Sequence, residues 1–515
     1  MKRTLYIAIT IVLVGCTPDE NPRDQIPQEE AYATKEMLFQ NTVATLYNYI
    51  GGNADGEGLQ GTCRGVHDLQ TFGSDEAMIP TRGIDWYDGG LWQAMYKHTW
   101  NPGHELIGNS WNYLYKVITL CNISLEKLDR YEETSPYDVL YWKAEVRALR
   151  AIFYWYLIDL FGNVPIVTST TVPINEIRQL SRADVYNFIV WELQSTLEVL
   201  MGYNSSETGT VYGRITRPVS MFVLAKLMLN APVYTGSTND SCYQKCIEYC
   251  DAIEAYGYKL EKEYHTNFTP FNERSTENIF TIPMDKFLYT NKFEYVYRSL
   301  HYRHAAVMGF TGENGTCATK QTLKIYGYNT DSIDIRFYHN YYSGTQYGFD
   351  GTPILDREGK PFEYVPEAVE LDLSNSPYIE TAGARMHKYD IDINSLKDGK
   401  MIDNDIVLFR FADVLLMRAE AKVRLGQDGQ KDFDRVRERS FMRHRPCTLD
   451  NLLDERLLEL SWEGWRRQDL IRFGKYKSLY DGPGKIDESD GHTTVFPIPE
   501  NVITANPYLK QNKGY

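Results

Sequence analysis

The sequence predicts a mainly α-helical protein whose paired helices pack against a loop-rich region with short strands. Both ends of the chain contain long stretches with apolar residues at helical spacing. The middle, residues 261–403, has no such stretch and is instead rich in Gly, Asn, Asp, Tyr and Pro. With 515 residues, the chain also exceeds the usual size of one domain, so we expect one large fold in several parts.

The N-terminus has the pattern of a secretory signal. Lys2 and Arg3 precede an apolar stretch from Leu5 to Val14. A helix that crosses a bilayer needs roughly 20 apolar residues, so this stretch is too short to be one. A positive start followed by a short apolar run is typical of a signal peptide, which we place at residues 1–15.

The end of this signal carries a more specific pattern. Residues 13–16 read LVGC and resemble the lipobox of bacterial lipoproteins, which predicts cleavage before Cys16 and acyl chains on that residue. Acyl chains would hold the protein at a membrane surface. The alternative is an ordinary secreted protein with an accidental cysteine. Residues 16–33 begin polar and rich in proline, and are expected to form a flexible tether.

Helical periodicity divides the mature chain into three parts. The first part, residues 34–260, contains predicted helices at 34–50, 110–130, 137–161, 181–200, 216–230 and 241–256. Residues 261–403 form the loop-rich part, where we expect ligand binding. In the last part, residues 404–515, helices are predicted at 404–425, 448–463 and 466–473. Successive helices of this length are typical of tetratricopeptide-like helix pairs, although no clean repeat can be read.

Composition narrows the classes of function. The formal net charge of −15 argues against nucleic acid as a partner, because binding phosphates requires clustered positive charge. The 39 tyrosines and nine tryptophans suit a surface that binds ligands through flat apolar contacts with a polar edge. Cys242, Cys246 and Cys250 share one helical face, where three consecutive turns are too far apart for a single metal ion, so we expect them to pack in the core.

Four segments and the C-terminal tail carry motifs that resemble those of one known family. The first segment, residues 74–92, reads SDEAMIPTRGIDWYDGGLW and runs on to HTW at 98–100. The second, residues 145–165, reads EVRALRAIFYWYLIDLFGNVP. The third and fourth read FADVLLMRAEA at 411–421, and ERLLELSWEG and DLIRFG at 455–464 and 469–474. The tail adds PIP at 497–499, NP at 506–507 and QNKGY at 511–515. In this order the motifs resemble the SusD/RagB family of outer-membrane nutrient-binding lipoproteins.

The resemblance implies a fold, a location and a partner. The fold would contain four tetratricopeptide-like helix pairs against an irregular part. The protein would be anchored to the outer membrane and face the cell exterior. It would bind oligosaccharide or polysaccharide and deliver it to a SusC-like TonB-dependent transporter, over which it would sit as a lid. Some members bind peptides, so a RagB-like peptide receptor is an alternative.

A glycan-binding segment is expected in residues 81–92. Sugar rings present an apolar C–H face to aromatic side chains and hydroxyls to charged groups. The segment supplies both kinds of side chain between glycines, and its candidate ligand contacts are Arg82, Asp85, Trp86, Tyr87, Asp88 and Trp92. Ligand contact is favoured for Trp86, whereas for Trp92 an anchoring role in the core is equally compatible with the sequence.

The middle region adds weaker candidates. Tyr295 lies in a polar run, and Phe310 and Asn314 flank glycines. Related proteins carry sugar-stacking aromatic residues in roughly this region. By contrast, charged residues in the helices are expected to form inter-helix ion pairs; they are Arg147, Arg150, Asp413, Glu420, Arg456, Glu463 and Arg472.

Enzymatic function is the competing class. A glycoside hydrolase needs two carboxylates about 5–10 Å apart, and Asp85 and Asp88 are the best-placed pair. The chain has no HExxH, GxSxG or GxxxxGK[ST] motif, so we expect no enzyme. No cofactor is expected either. A structural calcium ion would be compatible with the loop region, but no calcium-loop pattern supports one.

Overall fold

The computed structural model describes residues 28–131, 136–204, 209, 211–237, 239–395 and 398–515. The predicted signal peptide, Cys16 and most of the predicted tether lie outside these residues. Within the tether range, a short helix forms at Gln28–Ala31. The Tyr32 ring that follows it lies 5.9 Å from the ring of Tyr131. The chain therefore joins the folded body before residue 34.

The described residues form twenty α-helices and eight strands. The helices of the first part are α1 Gln28–Ala31, α2 Lys35–Phe39, α3 Thr45–Gly51, α4 Val66–Thr71, α5 Leu91–Lys97, α6 Glu105–Arg130, α7 Pro136–Phe161, α8 Arg182–Thr196, α9 Arg217–Leu229, α10 Ala231–Thr235 and α11 Asp240–Ala255. The middle contains α12 Tyr295–Ser299, α13 Tyr302–Val307, α14 Lys320–Tyr326 and α15 Phe337–Asn340. The last part contains α16 Phe411–Arg424, α17 Gln430–Arg439, α18 Leu449–Leu460, α19 Arg466–Arg472 and α20 Glu500–Ala505.

The strands are short and pair in four separate antiparallel sheets of two. They are β1 Ala77–Met78 with β3 Cys317–Ala318, β2 Asn278–Ile282 with β8 Ile406–Arg410, β4 Tyr341–Tyr342 with β7 Arg385–Met386, and β5 Gly344–Thr345 with β6 Glu363–Tyr364. The prediction of a mainly α-helical fold with short strands is confirmed.

The long helices pack in an order that follows the chain. Helix α7 packs between α6 and α8, α11 packs between α9 and α16, and α16 also contacts α17 and α18. These helices, α6 to α11 and α16 to α19, together with the β2–β8 pair that packs against α9 and α16 and the residues directly flanking these elements, are called the helical framework below. No helix of the described residues is both long and apolar enough to cross a membrane.

One predicted boundary is wrong. The helix expected from residue 404 begins at Phe411, because residues 406–410 form β8 instead. This strand is buried along its whole length and pairs with β2. The sequence pattern of a short apolar run that is buried on both faces does not distinguish a helix from a strand. Only the presence of a pairing strand decides between the two.

Ion pairs inside the helical framework bear out the expectation for its charged residues. Buried Arg410 contacts Glu277, Glu459 and Glu463 at 2.7, 2.5 and 2.7 Å. The remaining expected residues pair in the same way, as Arg147–Glu192, Arg150–Glu192, Arg456–Asp413 and Arg472–Glu420. Breaking one partner of a buried pair costs about 3–5 kcal/mol, so these contacts fix how neighbouring helices align.

The three cysteines of α11 also behave as expected. Cys246 and Cys250 are fully buried and Cys242 is partly exposed. All cysteines of the described residues are free. Burial raises the pKa of the Cys250 thiol well above its ordinary value, so the group remains neutral.

Candidate functional site

A tight turn at residues 82–85 begins the candidate site. The backbone N–H of Arg82 donates to Asp85 O (2.9 Å), and the N–H of Asp85 donates to Arg82 O (3.2 Å). The preceding residue, Thr81, exchanges backbone hydrogen bonds with Leu371 (3.0 Å) and Leu373 (2.8 Å). The turn is thus attached to the loop-rich part and projects from it.

Four of the five residues after this turn have positive φ angles. The φ angles of Trp86 and Asp88 are 61° and 43°, and Gly89 and Gly90 follow at 66° and 87°. Glycine adopts a left-handed conformation freely, whereas in other residues this conformation costs of order 1–3 kcal/mol of free energy. Non-glycine residues keep such a conformation only where surrounding contacts hold it, so the direction of the Trp86 side chain is fixed.

The Trp86 side chain is half-buried and tightly positioned. Its indole Nε1 donates to Glu313 O at 2.8 Å. A Cβ atom built on Gly315 would lie 2.7 Å from Trp86 Cε2, so the ring lies directly against that glycine backbone. Trp86 also meets Trp92 edge-on, with ring centroids 6.1 Å apart.

Two tyrosines extend the exposed aromatic surface beside Trp86. Tyr87 is 52% exposed and Tyr302, at the start of α13, is 46% exposed. The Tyr302 hydroxyl donates to Asp85 Oδ2 at 3.1 Å. Partial burial and the Asp85 carboxylate raise the pKa of Tyr302 to about 12, so its hydroxyl remains a neutral donor.

Charged side chains border these rings. The backbone N–H of Glu313 donates to Tyr297 O (3.1 Å), and Lys400 Nζ lies 4.3 Å from the centre of the Tyr297 ring. Lys400 also pairs with Glu294 at 2.8 Å. Burial raises the pKa of the partly exposed Glu313 carboxyl. We call the surface formed by Asp85, Trp86, Tyr87, Tyr297, Tyr302 and Glu313 the aromatic face.

The structure separates Trp92 and Asp88 from this face. Trp92 is only 2% exposed and packs edge-on against Phe72 at 5.5 Å. Its Nε1 donates to Asp88 Oδ2 (2.9 Å), and the same oxygen accepts from Arg64 Nη2 (2.7 Å). Trp92 is therefore a core anchor, and Asp88 is occupied in holding it. Asp85 and Asp88, the best-placed carboxylates for a hydrolase in the sequence, are thus not two free carboxylates, because Asp88 is bonded to Arg64 and Trp92.

Four other candidates are buried and offer no surface to a ligand. Tyr295 accepts a hydrogen bond from the N–H of Gly61 (2.7 Å), and Phe310 packs in the core. Asn314 Oδ1 accepts from Arg385 Nη2 (2.7 Å). Arg82 donates to two backbone oxygens. The sequence-based expectation of direct ligand contact therefore does not fit the burial of these residues.

Sequence reasoning did not identify Tyr302 and Glu313. Tyr302 lies 217 residues after Asp85 in the chain, and no motif links the two. The only available signal was the excess of tyrosine, which does not distinguish one copy from another. In the described part of the chain, no group of three or more His, Cys, Asp and Glu side chains is placed to hold a metal ion.

Comparisons with known proteins assign the chain to a family. The model of the SusD family matches residues 276–515. A second model, described as starch-binding and associating with the outer membrane, matches residues 71–269. The chain belongs to the SusD/RagB family. The two matches follow one another and include both the aromatic face and the helical framework.

Among the relatives in this family, the starch-binding protein SusD of Bacteroides thetaiotaomicron is 28% identical over 457 residues, covering 81% of this chain and 80% of that protein. SusD-like protein P25 of Formosa agariphila is 28% identical over 450 residues, covering 79% and 80%.

Two solved structures have a similar fold. One is a surface glycan-binding protein A from Bacteroides thetaiotaomicron in complex with laminarihexaose (TM-score 0.73, 21% identity, covering 93% of this chain and 99% of that one). Another is a laminarin-binding SusD-like protein (TM-score 0.70, 20% identity, 94% and 100%).

Proposed function

We propose that this chain is a glycan-binding lipoprotein of the cell surface that captures an oligosaccharide or polysaccharide and delivers it to a SusC-like TonB-dependent transporter. The observation that carries the proposal is the aromatic face. Tyr87 and Tyr302 place exposed rings, and Trp86 places a half-buried ring, beside polar groups that can bond hydroxyls, which is the combination a sugar ring requires. The similarity of the chain to the starch-binding protein SusD and to a laminarin-binding SusD-like protein supports it.

Binding rather than catalysis is supported by the side chains at this face. Asp85 accepts a hydrogen bond from Tyr302, and Asp88 is engaged by Arg64 and Trp92. A hydrolase of the usual type needs one carboxyl as a proton donor and a second as base or nucleophile across the scissile bond. Asp88, already paired with a guanidinium, is poorly suited to either role.

The proposal of a membrane anchor is based on the resemblance of residues 13–16 to a lipobox. Cys16 itself lies outside the described residues. The first described helix begins at residue 28, so residues 17–27 lie between Cys16 and this helix. In the Cys16→Ala variant, the protein should shift from the outer-membrane fraction to the soluble fraction. If the variant stays in the membrane fraction in full, acylation of Cys16 is not the anchor.

Native affinity gels that contain plant, host or microbial polysaccharides test glycan binding directly. We expect residues 17–515 to be retarded by at least one neutral polysaccharide. Tyr87→Ala should weaken that binding by about tenfold, equivalent to about 1.4 kcal/mol, because an exposed stacking ring is lost. Trp86→Ala should weaken it more.

A matched control separates the aromatic face from aromatic surface in general. Tyr203 is 51% exposed, close to the value for Tyr87, but lies between α8 and α9 of the helical framework. Tyr203→Ala should bind as the unaltered chain does. An equal loss of glycan binding in both tyrosine variants would place the binding site elsewhere. If no glycan retards the protein, a peptide ligand is favoured. Release of reducing ends from the polysaccharide would favour a hydrolase.

A further inference from the structure

Two buried arginines differ from the others in their partners. Twelve arginines of the described residues are buried, and ten of them form an ion pair with a carboxylate. Arg82 and Arg385 are the exceptions, although both are at most 5% exposed. Burying a guanidinium without a counter-charge costs several kcal/mol, so this pair is the electrostatic anomaly of the described fold.

Both guanidinium groups hydrogen-bond to the same short turn. Arg82 donates from Nη1 to Ile379 O (2.6 Å) and from Nη2 to Ala382 O (2.8 Å). Arg385 Nη2 donates to Glu380 O (3.3 Å) and to Asn314 Oδ1 (2.7 Å). All four acceptors are neutral. They satisfy part of the hydrogen-bonding capacity of the pair but supply no negative charge.

Several donors around the pair have no well-aligned acceptor among the described residues. These buried groups are Arg82 Nε, Arg385 Nε, Arg385 Nη1 and His301 Nε2. The other side-chain partners of the two arginines are neutral groups, the Cys317 thiol beside both and the Tyr364 hydroxyl beside Arg385. The Nδ1 atom of His301 accepts from the N–H of Arg303 (3.1 Å), so the ring hydrogen is on Nε2 and this atom is also a donor. Buried donors of native proteins nearly always have an acceptor, and here four lack a well-aligned one.

The other charged groups nearby do not neutralise the pair. Burial and the positive charges of Arg385, Arg303, Arg82 and Arg357 lower the pKa of His301 to about 3, so this ring adds no charge. Glu380 Oε2 lies 3.5 Å from His301 Nε2, but Glu380 is partly exposed and its other oxygen contacts Arg357 at 3.3 Å. The Glu380 carboxylate therefore contacts Arg357 and His301, and neither Arg82 nor Arg385 forms an ion pair with it.

We propose that Arg82 and Arg385 together bind a small monovalent anion of chloride size. The burial of both side chains excludes a polymer or a branched ligand from their N–H groups. A monatomic anion accepts hydrogen bonds from any direction, so it can use donors on two arginines and a histidine at once. Because Arg82 forms the turn with Asp85, the anion would also stabilise the base of the aromatic face, but its binding does not depend on what that face binds.

Bromide provides the direct test, because it replaces chloride and scatters anomalously. Crystals of residues 17–515 soaked in sodium bromide should show an anomalous peak in hydrogen-bond contact with both Arg82 and Arg385. A peak at this position supports the proposal. The absence of a peak between these two residues, whether or not bromide is found elsewhere on the surface, overturns it.

Thermal unfolding gives an independent readout in solution. In sodium chloride, the midpoint of unfolding should be about 1–3 °C higher than in sodium gluconate of equal ionic strength, because an anion that binds only the folded state stabilises it. Arg385→Met should lose this chloride-dependent increment. Arg467→Met removes another buried arginine, one paired with Asp159, and should keep the increment even if its midpoint falls. Equal midpoints of the unaltered chain in both salts would contradict the proposal.

Discussion

In the helical framework, charged side chains are buried and paired, whereas on the aromatic face aromatic and charged side chains reach solvent. Arg410 is fully buried among three carboxylates, while Tyr87 and Tyr302 are about half exposed. Both regions are rich in residues that a motif search would select. The framework uses them to align helices, and the face leaves them available to a partner.

The segment 81–92 shows the same contrast over a short distance. Arg82 and Trp92, near its two ends, are buried and attach it to the core. Between them, Asp85 and Tyr87 are exposed and Trp86 is half-buried. Neighbouring residues of one recognisable segment therefore divide into anchors and candidate ligand contacts, and their chemical type does not reveal which is which.

The largest effect is expected from removing a framework charge. Arg410→Met would leave Glu277, Glu459 and Glu463 with less compensation, so the free energy of unfolding should fall by about 3–5 kcal/mol. Urea unfolding followed by circular dichroism measures this. Lys485→Met, which breaks an exposed pair with Asp481, should cost less than about 1 kcal/mol and is the matched control. Similar small losses in both variants would contradict the proposed difference between buried and exposed charge.

A pH dependence of intermediate size is expected from Glu76. Burial raises the pKa of this carboxyl to about 7, and its Oε1 accepts from the backbone N–H of Trp462. Between the ordinary pKa of glutamate and pH 7, the folded chain keeps a proton that the unfolded chain has lost. Stability contributed by this group is therefore present at about pH 4 and is lost as the pH rises through 7, by about 2–3 kcal/mol.

Glu76→Gln isolates this contribution, because glutamine has a similar shape and does not titrate. The difference in free energy of unfolding between Glu76→Gln and the unaltered chain, measured in urea from pH 5 to pH 8, should increase with pH. A difference that is constant over this range would show that Glu76 does not titrate there.

The smallest effect, mainly on binding, is expected at Gly315. A methyl group at this position would lie 2.7 Å from the Trp86 ring and 3.1 Å from Arg298 O, so the indole must move. Gly315→Ala should weaken glycan binding several-fold, with a smaller effect on stability. Gly108→Ala, within α6 where nothing lies within 4 Å of the new methyl, should leave binding unchanged. Unchanged binding in Gly315→Ala would remove Trp86 from the site.

Much of the framework could be predicted from sequence because helical periodicity and capping are local. Outside the framework the same holds for the helix predicted from residue 34, where the Thr34 side chain caps α2 by accepting from the N–H of Met37 at 3.2 Å. The inter-helix ion pairs could be predicted because charged residues stand among apolar residues in the predicted helices. The strand at residues 406–410 was mistaken for helix because its partner, β2, is more than a hundred residues away.

The candidate site was predicted only in part. The sequence by itself determined the family, the helical fold and the segment that carries Asp85, Trp86 and Tyr87, since these depend on local patterns. Only the tertiary structure decided that Trp92 is an anchor, that Tyr302 meets Asp85, and that Arg82 and Arg385 meet without a carboxylate. Exposure and charge pairing arise from contacts between distant parts of the chain, and no local pattern records them.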